Sequence, residues 1–294
     1  MSALSFESWL RFPWYLPVPV FARRKEIRLM SFIQITDLHF VPGEELLYGT
    51  SPKQRLADGV SLIRRDHGDV DCVIATGDLA HHGEKEAYET LKKVLHPLEM
   101  PVHLMMGNHD SRAPFRKVFP DAPEIEGGFV QFTVNTGDAN VVCLDSLVDI
   151  PGDHAGRLCE TRLAWLDKEL DALPSDVPFL LAVHHPPFDL GIPHMDDIRL
   201  LDGEALWEVL QKRKPDQMIF GHVHRPISGH WRGIPIYLQR GFNHQGYLDF
   251  SRDGGFRFVD EAPEFSIIKS TTESVLVFVR SAGGEGEPYV PQDI

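Results

Sequence analysis

Apolar residues along this chain fall into short continuous runs, separated by segments in which they recur every three or four positions. SFIQIT, CVIAT and VHLMM are the first such runs. Between them lie Lys53 to His67, apolar at 56, 60 and 63, and Glu84 to His96, apolar at 87, 91, 94 and 95. A brief apolar run bounded by polar residues predicts a buried strand, and the three-to-four spacing predicts one face of a helix. Strands alternating with helices require crossover connections, so the sheet they build is largely parallel and covered on both faces.

A second series follows. FVQFTV and NVVCLD predict paired strands, Thr161 to Leu173 a helix, FLLAV a buried strand, Glu204 to Lys214 a helix and QMIF a strand. SGHWRGIPIYLQ predicts a hairpin turning at Arg232-Gly233, and FRFVD, FSIIKS and SVLVFVR predict three short strands. Together these elements suffice for an α/β fold of four layers, an αββα sandwich of two mixed sheets flanked by helices, as one domain over residues 31–281. Residues 282–294, rich in Gly, Glu and Pro, are expected to be a disordered tail. Residues 1–30 form an aromatic leader whose prolines at 13, 17 and 19 exclude a regular amphipathic helix. Its basic cluster follows the apolar part, the reverse of a secretory signal. It is expected to be loosely ordered or to precede a true start at Met30, with at most weak peripheral membrane contact through its Trp and Phe residues.

Composition narrows the function classes. With 294 residues, 43% of them hydrophobic, the chain can bury a sizeable core without staples. Three cysteines, Cys72, Cys143 and Cys159, are too few for a disulfide framework, and the first two lie in predicted strands, a usage that fits a reducing cytoplasm. A net charge of -14 opposes broad binding to a nucleic-acid polymer or to anionic lipid. No apolar run reaches the roughly 20 residues of a membrane-spanning helix. The 15 histidines are many for this length, and an acidic protein can still hold a cationic pocket where histidines gather metal ions.

The ends of the predicted strands carry the chemistry. SFIQIT stops at Asp37-Leu38-His39, CVIAT at Gly77-Asp78, VHLMM at Gly107-Asn108-His109-Asp110, FLLAV at His184-His185 and QMIF at Gly221-His222-Val223-His224. In open α/β sheets the carboxyl ends of the strands line the ligand crevice, so these five tips converge. Asp37 and His39, like His222 and His224, stand two residues apart, which on an extended chain points both side chains the same way. Any one tip alone reads as an ordinary turn or cap residue. Five in strand order read as a metal site.

In this order, D-x-H, G-D, G-N-H-D, H and G-H-x-H, the blocks resemble the calcineurin-like metallophosphoesterases, and the resemblance spans residues 31 to about 250. It implies the αββα sandwich and a centre of two divalent or trivalent transition-metal ions. It further implies that Asp37, His39, Asp78 and His224 hold one ion and Asp78, Asn108, His184 and His222 the other, with Asp78 bridging and His185 unassigned. Two such ions bring four or five positive charges against the carboxylates of Asp37 and Asp78 alone. Because Asn108 is neutral, the centre stays cationic, attracts a phosphate ester and lowers the pKa of bound water towards about 7 for a zinc-like ion. Oxygen, imidazole and amide donors without thiolate suit Fe, Mn, Co or Zn. His109 lies outside this set and is the candidate proton donor, with Asp110 orienting or charging it.

GDLAHHGEKEAY, MMGNHDSR, VHHPP and IFGHVHRP are most similar to the bacterial branch with cyclic-nucleotide phosphodiesterases and glycerophosphodiesterases. The stretch GFNHQ is similar to the glycerophosphodiesterase type, so the expected substrate is a small organic phosphodiester of that kind. The alternatives are 3',5'-cyclic nucleotides, phospholipase C-like attack on lipid headgroups and, in another class, a non-catalytic scaffold. The complete ligand set argues against the scaffold. His81, Arg112, His194 and His244 are the candidate substrate contacts, and His194, Met195 and Asp196 are within reach of a leaving group in this reading, with no sequence argument fixing their direction. The long segments 146–157 and 186–199 are expected to shape the entrance. The short apolar C-terminal strands offer edges for pairing in a homo-oligomer.

Overall fold

A computed structural model describes residues 30–136, 139–253, 255–271 and 273–283. The leader over residues 1–29 and the tail from residue 284 lie outside the described residues. The first sheet has the order β13-β12-β1-β2-β3, formed by β1 (Met30–Ile35), β2 (Cys72–Ala75), β3 (Val102–Leu104), β12 (Glu264–Ser270) and β13 (Val275–Ser281). Here β1, β2 and β3 are parallel, and β12 and β13 add an antiparallel hairpin beside β1. The second sheet runs β4-β5-β6-β7-β9-β8, from β4 (Phe132–Asn135), β5 (Asn140–Leu144), β6 (Phe179–Val183), β7 (Gln217–Phe220), β8 (Ile227–Trp231) and β9 (Ile234–Leu238). In it β5, β6, β7 and β9 are parallel.

Alternation along the strands explains the layering. Val141, Cys143, Leu180, Ala182 and Ile219 join the core shared with Ile33 and Val73 of the first sheet. Their neighbours Val142, Leu144, Leu181, Val183, Met218 and Phe220 pack instead with α4 (Glu160–Ala172) and α6 (Gly203–Leu210). On the opposite side α1 (Pro52–Asp66) buries Leu56, Val60 and Ile63, and α2 (Lys85–Leu95) buries Ala87, Tyr88, Leu91 and Leu95. Each fully buried leucine of this kind contributes roughly 1.5–3 kcal/mol. Helix α1 starts where Ser51 accepts a hydrogen bond from the backbone of Gln54 and Pro52 takes the first turn. The fold is the expected four-layer sandwich.

Several elements differ from the sequence reading. Helices α3 (Arg112–Val118) and α5 (Pro193–Asp196) were not expected; seven and four residues are too short to display a helical period. FRFVD shrinks to β11 (Phe258–Val259), paired with β10 (Gln245–Gly246) in a separate ribbon. The hairpin of β8 and β9 does turn at Arg232 and Gly233, whose φ angles of 52° and 82° match the primed turn that suits strand twist.

Candidate metal centre

The tips of the two sheets are bonded to each other. Beyond β1 and β2 the chain continues as a short ladder, with Asp37 N donating to Gly77 O (3.1 Å) and His39 N to Asp78 O (2.9 Å). From the second sheet, His222 N donates to both oxygens of Asp37 (3.1 and 3.2 Å), and His184 Nδ1 donates to Thr76 O (2.8 Å). Space there is scarce. A Cβ on Gly77 (φ 107°) would lie 2.5 Å from His184 Nδ1, and one on Gly107 would lie 2.2 Å from Asp78 Oδ1. Glycine is what lets these backbones close on the side chains of His184 and Asp78.

One donor atom each from Asp37, His39, Asp78 and His224 lie within 4.8 Å of one another, and so do those of His184, His185 and His222. Asp78 stands between the two groups, its Oδ2 3.5 Å from His39 Nε2 and 3.3 Å from His184 Nε2. Asn108 Oδ1 is 2.8 Å from His222 Nδ1, while its Nδ2 donates to His154 Nδ1 (3.0 Å). The seven side chains singled out as ligands therefore meet in one place. The reasoning from extended backbone does not hold, however. Asp37, His39, Asp78, His222 and His224 have φ between 46° and 71°, a left-handed conformation that costs non-glycine residues roughly 1–3 kcal/mol each. His222 and His224, two residues apart, fall in different groups, whereas Asp37 and His39, with the same kind of backbone conformation, fall together as expected.

Burial and charge set the protonation of these groups. Burial, reinforced by neighbouring imidazoles, pushes His39, His185 and His222 well below the ordinary histidine range. For His184 burial works in the same direction, but the negative charges of Asp78 and Asp37 outweigh it and raise the pKa to about 9. His224 is likewise raised, Asp37 overcoming burial. Burial opposes ionisation of Asp78, yet His184 and His109 hold it well below the ordinary carboxylate range.

A family model, calcineurin-like phosphoesterase, matches residues 30–226. The chain belongs to this family. It is 45% identical over 249 residues to a probable cyclic nucleotide phosphodiesterase of Rhodopseudomonas palustris, covering 84% of this chain and 91% of the relative. It is 31% identical over 265 residues to a probable glycerophosphodiester phosphodiesterase of Arcobacter nitrofigilis, covering 88% and 96%. Among solved structures, a dimetal phosphatase from Danio rerio shares the fold with a TM-score of 0.57 at 18% identity, covering 84% of this chain and 98% of that one.

The donors of this phosphoesterase fit a pair of cations. His184 Nδ1 is committed to the Thr76 carbonyl and His224 Nδ1 to the His244 carbonyl (2.7 Å), so each neutral ring turns its Nε2 lone pair on a carboxylate oxygen 3.3 Å away. Lone pair against carboxylate is repulsive unless a proton or a metal ion lies between them. The raised pKa values are the proton's answer to that geometry. Nε2 of His184, His185 and His222 is buried without a hydrogen-bond partner, as expected of nitrogens oriented for ligation.

A cavity of about 460 Å³ opens over these groups and is lined by eight of the 15 histidines, including His39, His81, His109, His194, His222 and His244. His109 Nδ1 donates to the His81 carbonyl (2.8 Å) and its ring stacks on that of His81, with centroids 5.0 Å apart. His244, a candidate substrate contact, is buried against His224 and His39, and burial pushes its pKa down to about 2.

Asp110 does not orient His109. Its carboxylate is spent on the backbone N–H groups of Leu79, Ala80 and Gly107 and on the Tyr88 hydroxyl, and burial, with the Asp78 charge, pushes its pKa up to about 7. It braces the turn that carries Asn108. Arg112 does not reach the cavity either: both arms of its guanidinium pair with buried Asp145 (2.7 and 2.8 Å), and one also donates to Leu147 O. Asp196 is turned to Leu190 N, whereas Met195 does line the cavity. Sequence reasoning missed Tyr48, His154, Phe256 and Phe258 as lining residues. No motif surrounds them, and only the length of the loop holding His154 hinted at it.

Proposed function

We propose that this protein is a metal-dependent phosphodiesterase of 3',5'-cyclic nucleotides. The observation that carries the substrate is the 45% identity, over 91% of its length, to a relative named probable cyclic nucleotide phosphodiesterase. The more distant glycerophosphodiesterase relative supports the glycerophosphodiester reading less well, despite the GFNHQ stretch. Asp37, His39, Asp78 and His224 would hold one ion and Asp78, Asn108, His184 and His222 the other. When bound, the pair supplies a water ionised near neutral pH and positive charge for the phosphoryl oxygens.

The chain's own groups do the rest. Asp78, set between the two groups, keeps both positions coupled. His109, its Nδ1 fixed by the His81 carbonyl, presents Nε2 to the cavity and protonates the departing ribose oxygen. His81 and His244 bound the space for the phosphate, their low pKa values keeping them neutral hydrogen-bonding groups. A net charge of -14 keeps nucleic-acid polymers away while a small anion enters the cationic pocket.

The test is turnover by the metal-loaded protein of 3',5'-cyclic AMP, glycerophosphoethanolamine and phosphatidylcholine vesicles, side by side. We expect kcat/KM for cyclic AMP to exceed the other two at least about tenfold, roughly 1.4 kcal/mol of transition-state preference. A preference for glycerophosphoethanolamine would overturn the assignment.

A further inference from the structure

Part of the cavity lining, Tyr48, Phe256 and Phe258, is aromatic rather than polar. The rings of Tyr48 and Phe258 stack with centroids 4.6 Å apart and an interplanar angle of 24°, and Phe256 stands 5.5 Å from Phe258. These rings are 53%, 39% and 52% exposed, an uncommon amount of open aromatic surface at the mouth of a polar site. The pair is seated on the buried ring of His244, at 4.9 Å from Tyr48 and 4.5 Å from Phe258, and His244 in turn touches the group built on His39 and His224. The platform is thus one ring away from the place where a phosphate would sit.

His194 lines the same cavity, 6.4 Å from Phe256, and its Nε2 is buried with no hydrogen-bond partner. A buried imidazole nitrogen left unpaired beside open aromatic faces suits a ligand that is flat, apolar on its faces and polar at its edge. A glycerol or ethanolamine arm has no such face. A nucleobase has both properties, since any base offers a π-face for stacking and hydrogen-bonding atoms around its rim.

We propose that Tyr48 and Phe258, with Phe256 and His194 beside them, form a nucleobase subsite that holds the base of the substrate while its phosphate lies over Asp78. This rests on the cyclic-nucleotide reading and adds to it the residues that would select nucleotides. Stacking on one aromatic side chain corresponds to roughly 5- to 150-fold in affinity.

Calorimetric binding of adenosine 5'-monophosphate and ribose 5-phosphate to the full-length, metal-loaded protein isolates the base, because both ligands carry the same phosphate and sugar. We expect the monophosphate to bind at least about tenfold tighter. In Phe258→Leu, which keeps bulk but loses the flat ring, that ratio should fall below about threefold, and Phe258→Tyr should restore it. Equal affinities in the parent protein, or an unchanged ratio in Phe258→Leu with normal metal content, would overturn the subsite. Should cyclic AMP be hydrolysed efficiently while the ratio stays unmoved, the platform alone is wrong. Should cyclic AMP be ignored in favour of glycerophosphoethanolamine, the substrate reading fails first.

Discussion

The two sheets bring different chemistry to the same place. Tips of the first sheet provide Asp37, His39, Asp78 and Asn108, and therefore every carboxylate among the candidate ligands; tips of the second provide His184, His222 and His224, imidazoles only. Neither set is complete alone. Asp78 meets His184, and Asp37 meets His224, only because the sheets pack face to face. An acidic tip and a neutral tip that complete each other make ion binding dependent on the sandwich being formed, so occupancy of the centre should stabilise the whole fold.

Removing the group common to both halves should break that arrangement most severely. Asp78→Ala takes away the one carboxylate that stands between the two donor groups, so both ions should be lost together rather than one. We expect metal content, measured by elemental analysis, to fall from two equivalents towards none, and kcat/KM to drop about a thousandfold or more. Retention of one tightly held ion would show that the halves act separately.

Most of this site was legible in the sequence, for a physical reason. Metal-type residues at the ends of apolar strands are constrained by backbone direction alone, and parallel strands bring such ends together whatever the loops do. Asp110 and Arg112 were misjudged because proximity in sequence says nothing about where a side chain is satisfied. Asp110 lies beside His109 in the chain but finds four stronger partners in backbone N–H groups and the Tyr88 hydroxyl. The aromatic mouth was invisible because Tyr48 and Phe258 are 210 residues apart with no pattern linking them. The substrate expectation leaned on one short stretch, GFNHQ, against which the relative at 45% identity weighs; its His244 does line the cavity, as expected, buried against His224.

A smaller effect would sharpen the contrast between acidic and imidazole tips. In the metal-free protein His184 has its pKa raised from 6.5 to about 9. A histidine whose folded pKa exceeds its unfolded one adds stability that is full below about 6.5 and disappears as pH rises through about 9. His39, His185 and His222 are shifted downwards, so they titrate below that window and leave its slope unaltered. Denaturant unfolding after chelation should therefore show stability falling between pH 6.5 and 9.5, by on the order of 3 kcal/mol from His184, with His224, also raised, adding to the fall in the same direction. With ions bound, the same scan should be flat or reversed, because protons and metal compete for His184. Parallel curves with and without metal would mean that His184 is not a ligand.

The mildest test concerns a contact that also crosses between the sheets but lies outside the chemistry. Arg112 follows the tip of β3 and Asp145 follows β5, so their forked pair ties the two sheets together much as Asp78 and His184 do. What distinguishes it is its position: Nε and Nη2 are bound to both Asp145 oxygens and the Leu147 carbonyl, Nη1 lies 3.8 Å from Asp149, the guanidinium lies 5.0 Å from the Phe129 ring, and Arg112 is not among the residues that line the cavity. Arg112→Lys keeps the charge and loses the fork, which should lower stability by about 1–2 kcal/mol. Because the cavity lining is untouched, KM for cyclic AMP and kcat should each change by less than about threefold. A tenfold rise in KM at unchanged stability would move Arg112 from the joint between the sheets to the substrate, and would restore what its place in the chain first suggested.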